Sequence, residues 1–185
     1  VGDLNGDGFV DIFMPNTTPV SSQNNMYKFF MLNDGNGNFT NTSFEVGHSP
    51  YFATSTTIAD FDGDGYGDIA LGWSDYAYID LGGNSVGGIY WGNAETDYTK
   101  DYTALPPGYY EHNIAFDMQA TDINADGLLD LVIANTRGDE YYVGHVLQFL
   151  TNNGDRTFDH AAFRTEELID NVNNGVSHIY ILDFD

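Results

Sequence analysis

Cysteine is absent from this sequence, and lysine and arginine together number only 5 among 185 residues. Without a thiol there is no disulfide framework and no zinc–thiolate site, and cysteine usage cannot place the compartment. The few basic residues face 28 acidic ones, giving a formal net charge of -23. Such a field repels a phosphate backbone or an anionic membrane surface, which argues against nucleic-acid binding. Long apolar runs are missing too; none approaches the roughly 18 residues of a bilayer-spanning helix. No secretory leader is visible, but Val1 falls inside a repeat, so its absence says nothing about a precursor.

What is present favours a packed β-protein. Hydrophobic residues make up 42% of the chain and aromatics 15%, enough for a core rather than a disordered segment. The 21 glycines, with abundant Thr, Tyr, Phe and Ile, fit short strands joined by tight turns.

A repeat organises the chain. Asp3-Leu-Asn-Gly-Asp-Gly-Phe-Val-Asp11-Ile recurs as Asp60-Phe-Asp-Gly-Asp-Gly-Tyr-Gly-Asp68-Ile and as Asp122-Ile-Asn-Ala-Asp-Gly-Leu-Leu-Asp130-Leu. Asp183-Phe184-Asp185 reads as a fourth copy cut after its third position. An apolar-alternating stretch precedes each later motif (Thr57-Ile-Ala, Met118-Gln-Ala, Ile179-Tyr-Ile-Leu) and another follows each full one. About twenty residues on lies a third strand candidate (Tyr27–Leu32, Gly88–Trp91, Val146–Leu150), then a Gly-rich turn and an aromatic residue. The turns are Asn33–Phe39, the looser Gly92–Tyr98, and Asn152–Phe158, each with a fourth strand expected after it. The expectation is an all-β segment of four-stranded antiparallel blades, with units near 1–59, 60–121 and 122–182. Only 165–170 hints at a helix.

The motif has the composition of a calcium loop. Ca²⁺ prefers six to eight oxygen ligands, which a tight loop supplies from positions one, three, five and nine plus the carbonyl of seven. Those positions hold Asp3, Asn5, Asp7, Phe9 and Asp11 in loop one. They hold Asp60, Asp62, Asp64, Tyr66 and Asp68 in loop two, and Asp122, Asn124, Asp126, Leu128 and Asp130 in loop three. Position six is Gly each time, as a sharply turning backbone requires. An EF-hand would carry Glu at position twelve; Met14, Leu71 and Ile133 stand there, which excludes it. One Ca²⁺ per complete motif is expected, with Asp183 and Asp185 beginning a truncated fourth site. Magnesium is a weaker candidate, since it demands small octahedral geometry and retains its waters.

Asp-x-[Asp/Asn]-x-Asp-Gly-x-x-Asp-[Ile/Leu] at a period near 60 residues resembles the FG-GAP/VCBS repeat family, which includes the integrin α-subunit propeller and many bacterial secreted proteins. The resemblance implies a seven- or eight-bladed propeller, with calcium in the hairpin between the first two strands of a blade. The metal positions carry over onto the residues named above, and neighbouring blades of a larger chain or assembly are expected as partners. Ala125 departs from the commoner Gly at position four and is expected to be tolerated.

Catalytic chemistry is poorly represented. His48, His112, His145, His160 and His178 are scattered, and no Gly-x-Ser-x-Gly elbow occurs. The expected role is a non-enzymatic, extracellular calcium-binding module for adhesion or for protein or glycan binding. The alternatives are a lectin-like carbohydrate binder and a propeller within a polysaccharide-degrading enzyme. Aromatic residues at Trp73–Tyr78, Tyr109-Tyr110 and Tyr141-Tyr142 offer stacking surfaces, with packing between blades the simpler reading. Trp91 reads as core. Arg137-Gly138-Asp139 and the sequons at Asn16, Asn38 and Asn41 carry too little information to assign a role.

Overall fold

The structure, a computed structural model, describes residues 1–15, 27–45, 53–74, 86–137, 143–144, 146–165 and 178–182. Among them every regular element is a β-strand, and no helix occurs. The first sheet holds β1 (Ile12–Met14), β2 (Tyr27–Asn33) and β3 (Phe39–Glu45). The second holds β4 (Ala53–Ala59), β5 (Asp68–Trp73), β6 (Gly87–Tyr90) and β7 (Tyr102–Ala104). The third holds β8 (Asn113–Thr121), β9 (Asp130–Arg137), β10 (Val146–Asn152) and β11 (Phe158–Thr165). Each sheet is antiparallel with strands in chain order, the build of a propeller blade.

The second and third motifs lie in the hairpins β4–β5 and β8–β9, between the first and second strands of their sheets, and the first motif leads directly into β1. In the first sheet Gly2 pairs with Asp11 through a single antiparallel bridge across the loop. The second sheet is covered on both faces, and β5 and β6 are buried at every position. On one side Leu4, Phe13 and Phe30 pack with Ile69, Leu71, Tyr90 and Tyr98. On the other, Phe61, Ile89 and Trp91 pack with Met118, Leu131, Ile133 and Phe158. A run buried on both faces loses the polar alternation of a half-exposed strand, hence Ile69-Ala-Leu in β5. The third sheet approaches so closely that a Cβ at Gly72 would lie 2.8 Å from Ala115 Cβ and 3.0 Å from Met118 Cε.

Some expectations need correcting. Ile179–Leu182 forms no strand, although Ile179 N donates to Asp117 Oδ2 at 2.7 Å. In the complete sheets the first strand pairs with the strand after the motif, whereas none of the described strands pairs with this stretch. Trp91 lies one residue beyond β6 rather than inside it, yet is buried as expected of core. Trp73 ends β5 and is buried, which removes it as an exposed stacking residue. Thr165 closes β11, and 166–170 lie outside the described residues, as do 75–78, 138–142, Asn16, His48, His145, Asp183 and Asp185.

Candidate metal centre

The position-one carboxylate organises each loop by collecting backbone N–H groups. Asp3 Oδ1 accepts from Gly6 N at 2.8 Å and Asp7 N at 3.2 Å, and its Oδ2 accepts from Gly8 N at 2.8 Å. Asp60 accepts from Gly63, Asp64 and Gly65 at 2.8, 3.1 and 2.9 Å. Asp122 accepts from Asp126 and Gly127 at 3.2 and 2.9 Å. The chain wraps this tightly because position six is left-handed, with φ 84 at Gly8 and 91 at Gly65 and Gly127. Position four is left-handed as well. Ala125 adopts φ 61 there with its side chain exposed, so the departure from Gly is accommodated at a backbone strain of about 1 kcal/mol.

Position five closes the loop: Asp7, Asp64 and Asp126 accept the N–H of Phe9, Tyr66 and Leu128 at 2.9, 2.9 and 2.8 Å. Where position three is Asn, its amide donates to the position-five carboxylate, Asn5 to Asp7 at 2.9 Å and Asn124 to Asp126 at 2.8 Å. Asp62, in loop two, has no such proton to give.

The position-nine residues Asp11, Asp68 and Asp130 are fully buried. One oxygen of each accepts the position-two N–H of Leu4, Phe61 or Ile123, all at 2.8 Å. The other accepts the N–H of Asn33, Gly92 or Asn152, where the third strand gives way to its turn, at 2.8, 2.7 and 2.8 Å. Beyond the ligand role expected of it, position nine therefore ties the loop to the next-but-one strand of its sheet.

Among the described residues, carboxylates converge most closely at loop two, where ligand atoms of Asp60, Asp62 and Asp68 lie within 4.8 Å of one another. Oxygens sharing one calcium at 2.3–2.6 Å lie no more than about 5 Å apart, so this donor set fits that ion. Burial, reinforced by Asp62 and Asp64, pushes the Asp68 carboxyl up to about 7 against the pull of the Gly92 and Phe61 N–H groups. Burial and the charges of Asp62 and Asp60 likewise raise Asp64. A divalent cation would relieve both.

A family model described as an FG-GAP-like repeat matches residues 3–71, from the first ligand position of loop one to the middle of β5. Over those residues the chain is similar to an FG-GAP-like repeat. Loop three and the third sheet lie beyond the matched span but reproduce its bonding around positions five and nine. Comparison with curated proteins and with solved structures found no match.

Sequence reasoning missed the residues that join one repeat to the next. Asn152 Nδ2 donates to Phe61 O of loop two at 2.7 Å and to Leu129 O of its own loop at 3.1 Å. These are the position-two carbonyl of one loop and the position-eight carbonyl of the next. Asn33 reaches the position-eight carbonyl of Val10 in the same way, at 3.2 Å. The second unit has Gly92 at this place, and the buried Tyr98 hydroxyl takes over. It lies 2.8 Å from Gly67 O and 3.3 Å from Leu4 O, again positions eight and two. The aligned turns carried this signal: where Asn33 and Asn152 give way to Gly92, Phe39 and Phe158 give way to Tyr98.

Proposed function

We propose that the chain is a calcium-binding β-repeat module of an extracellular protein, serving adhesion or the binding of protein or glycan ligands. The convergence of three carboxylates at loop two, on a backbone frame repeated in the other loops, carries this reading. Each loop would hold one ion through positions one, three, five and nine, with the carbonyls of Phe9, Tyr66 and Leu128 completing the set. Bound calcium supplies positive charge that neutralises the crowded carboxylates. The protein supplies the cradle and the welds to neighbouring strands. Millimolar extracellular calcium would keep loops of modest affinity filled, which supports the location.

Neighbouring repeats are the first partners this reading requires. Tyr98 and Phe158 face the preceding loop, Phe158 packing edge-on against Phe61 at 5.7 Å. Phe39, at the same place in the first sheet, is 44% exposed and would be covered by one more repeat. The test is thermal denaturation of the chelator-treated chain with calcium, magnesium or neither. A midpoint raised by calcium well above the magnesium value supports the reading, and coincident curves refute it.

A glycan-binding reading has one observation in its favour. Tyr109 is half-exposed and stands edge-on to Tyr110 at 5.1 Å and to Phe163 at 5.2 Å, forming an aromatic surface of the kind that stacks on sugar rings. Glycan-array binding abolished by Tyr109→Ala would favour it; binding unchanged by that substitution would not.

A further inference from the structure

Arg156 is one of only 5 basic residues in the chain, and it stands where a glycine is the natural choice. It occupies the fifth place of the turn after β10, matching Gly37 in the first unit and Thr96 in the second. All three are left-handed, with φ 87 at Gly37, 51 at Thr96 and 66 at Arg156. The side chain leaves its own unit and crosses to loop two. Its Nε and Nη2 each lie 2.7 Å from Asp62 Oδ2, and Nη2 lies 3.6 Å from Asp64 Oδ2. Nη1 lies 3.4 Å from Asp101 Oδ2, and the guanidinium sits 5.1 Å from the Trp91 ring centroid. The backbone is pinned as well, since Trp91 Nε1 donates to Thr103 Oγ1, which donates to Arg156 O, both at 3.0 Å.

Loop two differs from loops one and three at one ligand position, Asp62 in place of Asn5 and Asn124. That change adds a carboxylate and removes the amide that otherwise steadies position five. Arg156 meets both deficits, because its Nη2 takes the place between positions three and five that the asparagine amide holds in the other loops. No basic side chain among the described residues does this for loop one or loop three.

We propose that Arg156 is a built-in counter-cation, matched to Asp62, that keeps loop two folded and joined to the next unit when calcium is withdrawn. Loops one and three lack it and have only an asparagine amide at that place. The proposal rests on the calcium reading above, and the experiment separates the two. Amide hydrogen exchange of the full chain is compared in saturating calcium and in excess chelator.

Chelation is expected to speed exchange at Gly8 and Gly127 by about tenfold or more while Gly65 changes less than about threefold. Arg156→Gly should bring Gly65 into line with the other two. Adding Asp62→Asn, which rebuilds the Asn-type loop, should leave loop two closed in calcium and opening with loops one and three in chelator. If chelator changes none of the loops in the wild type, the calcium reading fails. If Gly65 speeds up with Gly8 and Gly127 in the wild type, or Arg156→Gly leaves Gly65 unchanged, the assignment to Arg156 is overturned.

Discussion

The junction between the first and second units and that between the second and third do the same work with different groups. Both bridge the position-two carbonyl of one loop to the position-eight carbonyl of the next. At the second junction the donor is the Asn152 amide, which has two protons and serves both carbonyls separately. At the first it is the Tyr98 hydroxyl, whose single proton is shared between 2.8 and 3.3 Å. Among the described residues, only the second junction adds an ion pair, through Arg156. The comparison teaches that the repeat preserves two carbonyl positions and a buried donor, not a residue type. A repeat scan weighted to identity therefore underrates the second unit's turn.

Calcium withdrawal should have the largest effect, falling more on the first junction than on the second, which keeps its Arg156 ion pair. At free calcium about 100 times Kd, each occupied loop contributes about 2.7 kcal/mol, so chelation should lower the urea midpoint by far more than any single substitution below. Next in size, Asp130→Ala strips the N–H groups of Asn152 (buried) and Ile123 (part-buried) of their acceptor and is expected to cost about 2–4 kcal/mol by chemical denaturation. A loss under about 0.5 kcal/mol would show that position nine is no weld.

The junctions themselves are compared by Asn152→Ala and Tyr98→Phe. The first leaves two carbonyls without their donor and should cost about 2 kcal/mol, the second about 1 kcal/mol. Equal losses would mean that the shared proton serves both carbonyls as well as two separate ones. Gly92→Asn should not restore the Tyr98→Phe variant, because a Cβ there would lie 2.6 Å from Gly67 O.

A separate effect is on pH dependence in chelator. Asp68 has its folded carboxyl raised from 3.8 to about 7, so the folded state holds that proton more tightly than the unfolded chain. Its contribution is fully present below about pH 4 and is lost as pH rises through about 7. Metal-free protein should therefore weaken over that window, and Asp68→Asn should flatten the slope. A slope unchanged by Asp68→Asn would assign it to other groups.

Much of this molecule was legible because its repeat is written in side chains that bend backbone. Asp at positions one and five with Gly at six placed every complete loop, and the flanking apolar stretches located the strands around them. The last strand of each sheet followed from the turn ending in Phe39, Tyr98 or Phe158. What escaped were the contacts between units, whose partners lie as far apart as Arg156 and Asp62 and follow no local period. Position nine was seen as a ligand but not as a weld, because its N–H partners are backbone groups that sequence does not display. Ile179–Leu182 shows the opposite failure, an apolar alternation without a ladder to join.

The most direct test is a calorimetric calcium titration of the chelator-treated chain. Saturation at three ions, reduced to two by Asp60→Asn with Asp68→Asn, is the result expected from three complete loops. No heat of binding and no bound ion at millimolar calcium would contradict it, and the loops would then be turns held by their hydrogen bonds alone.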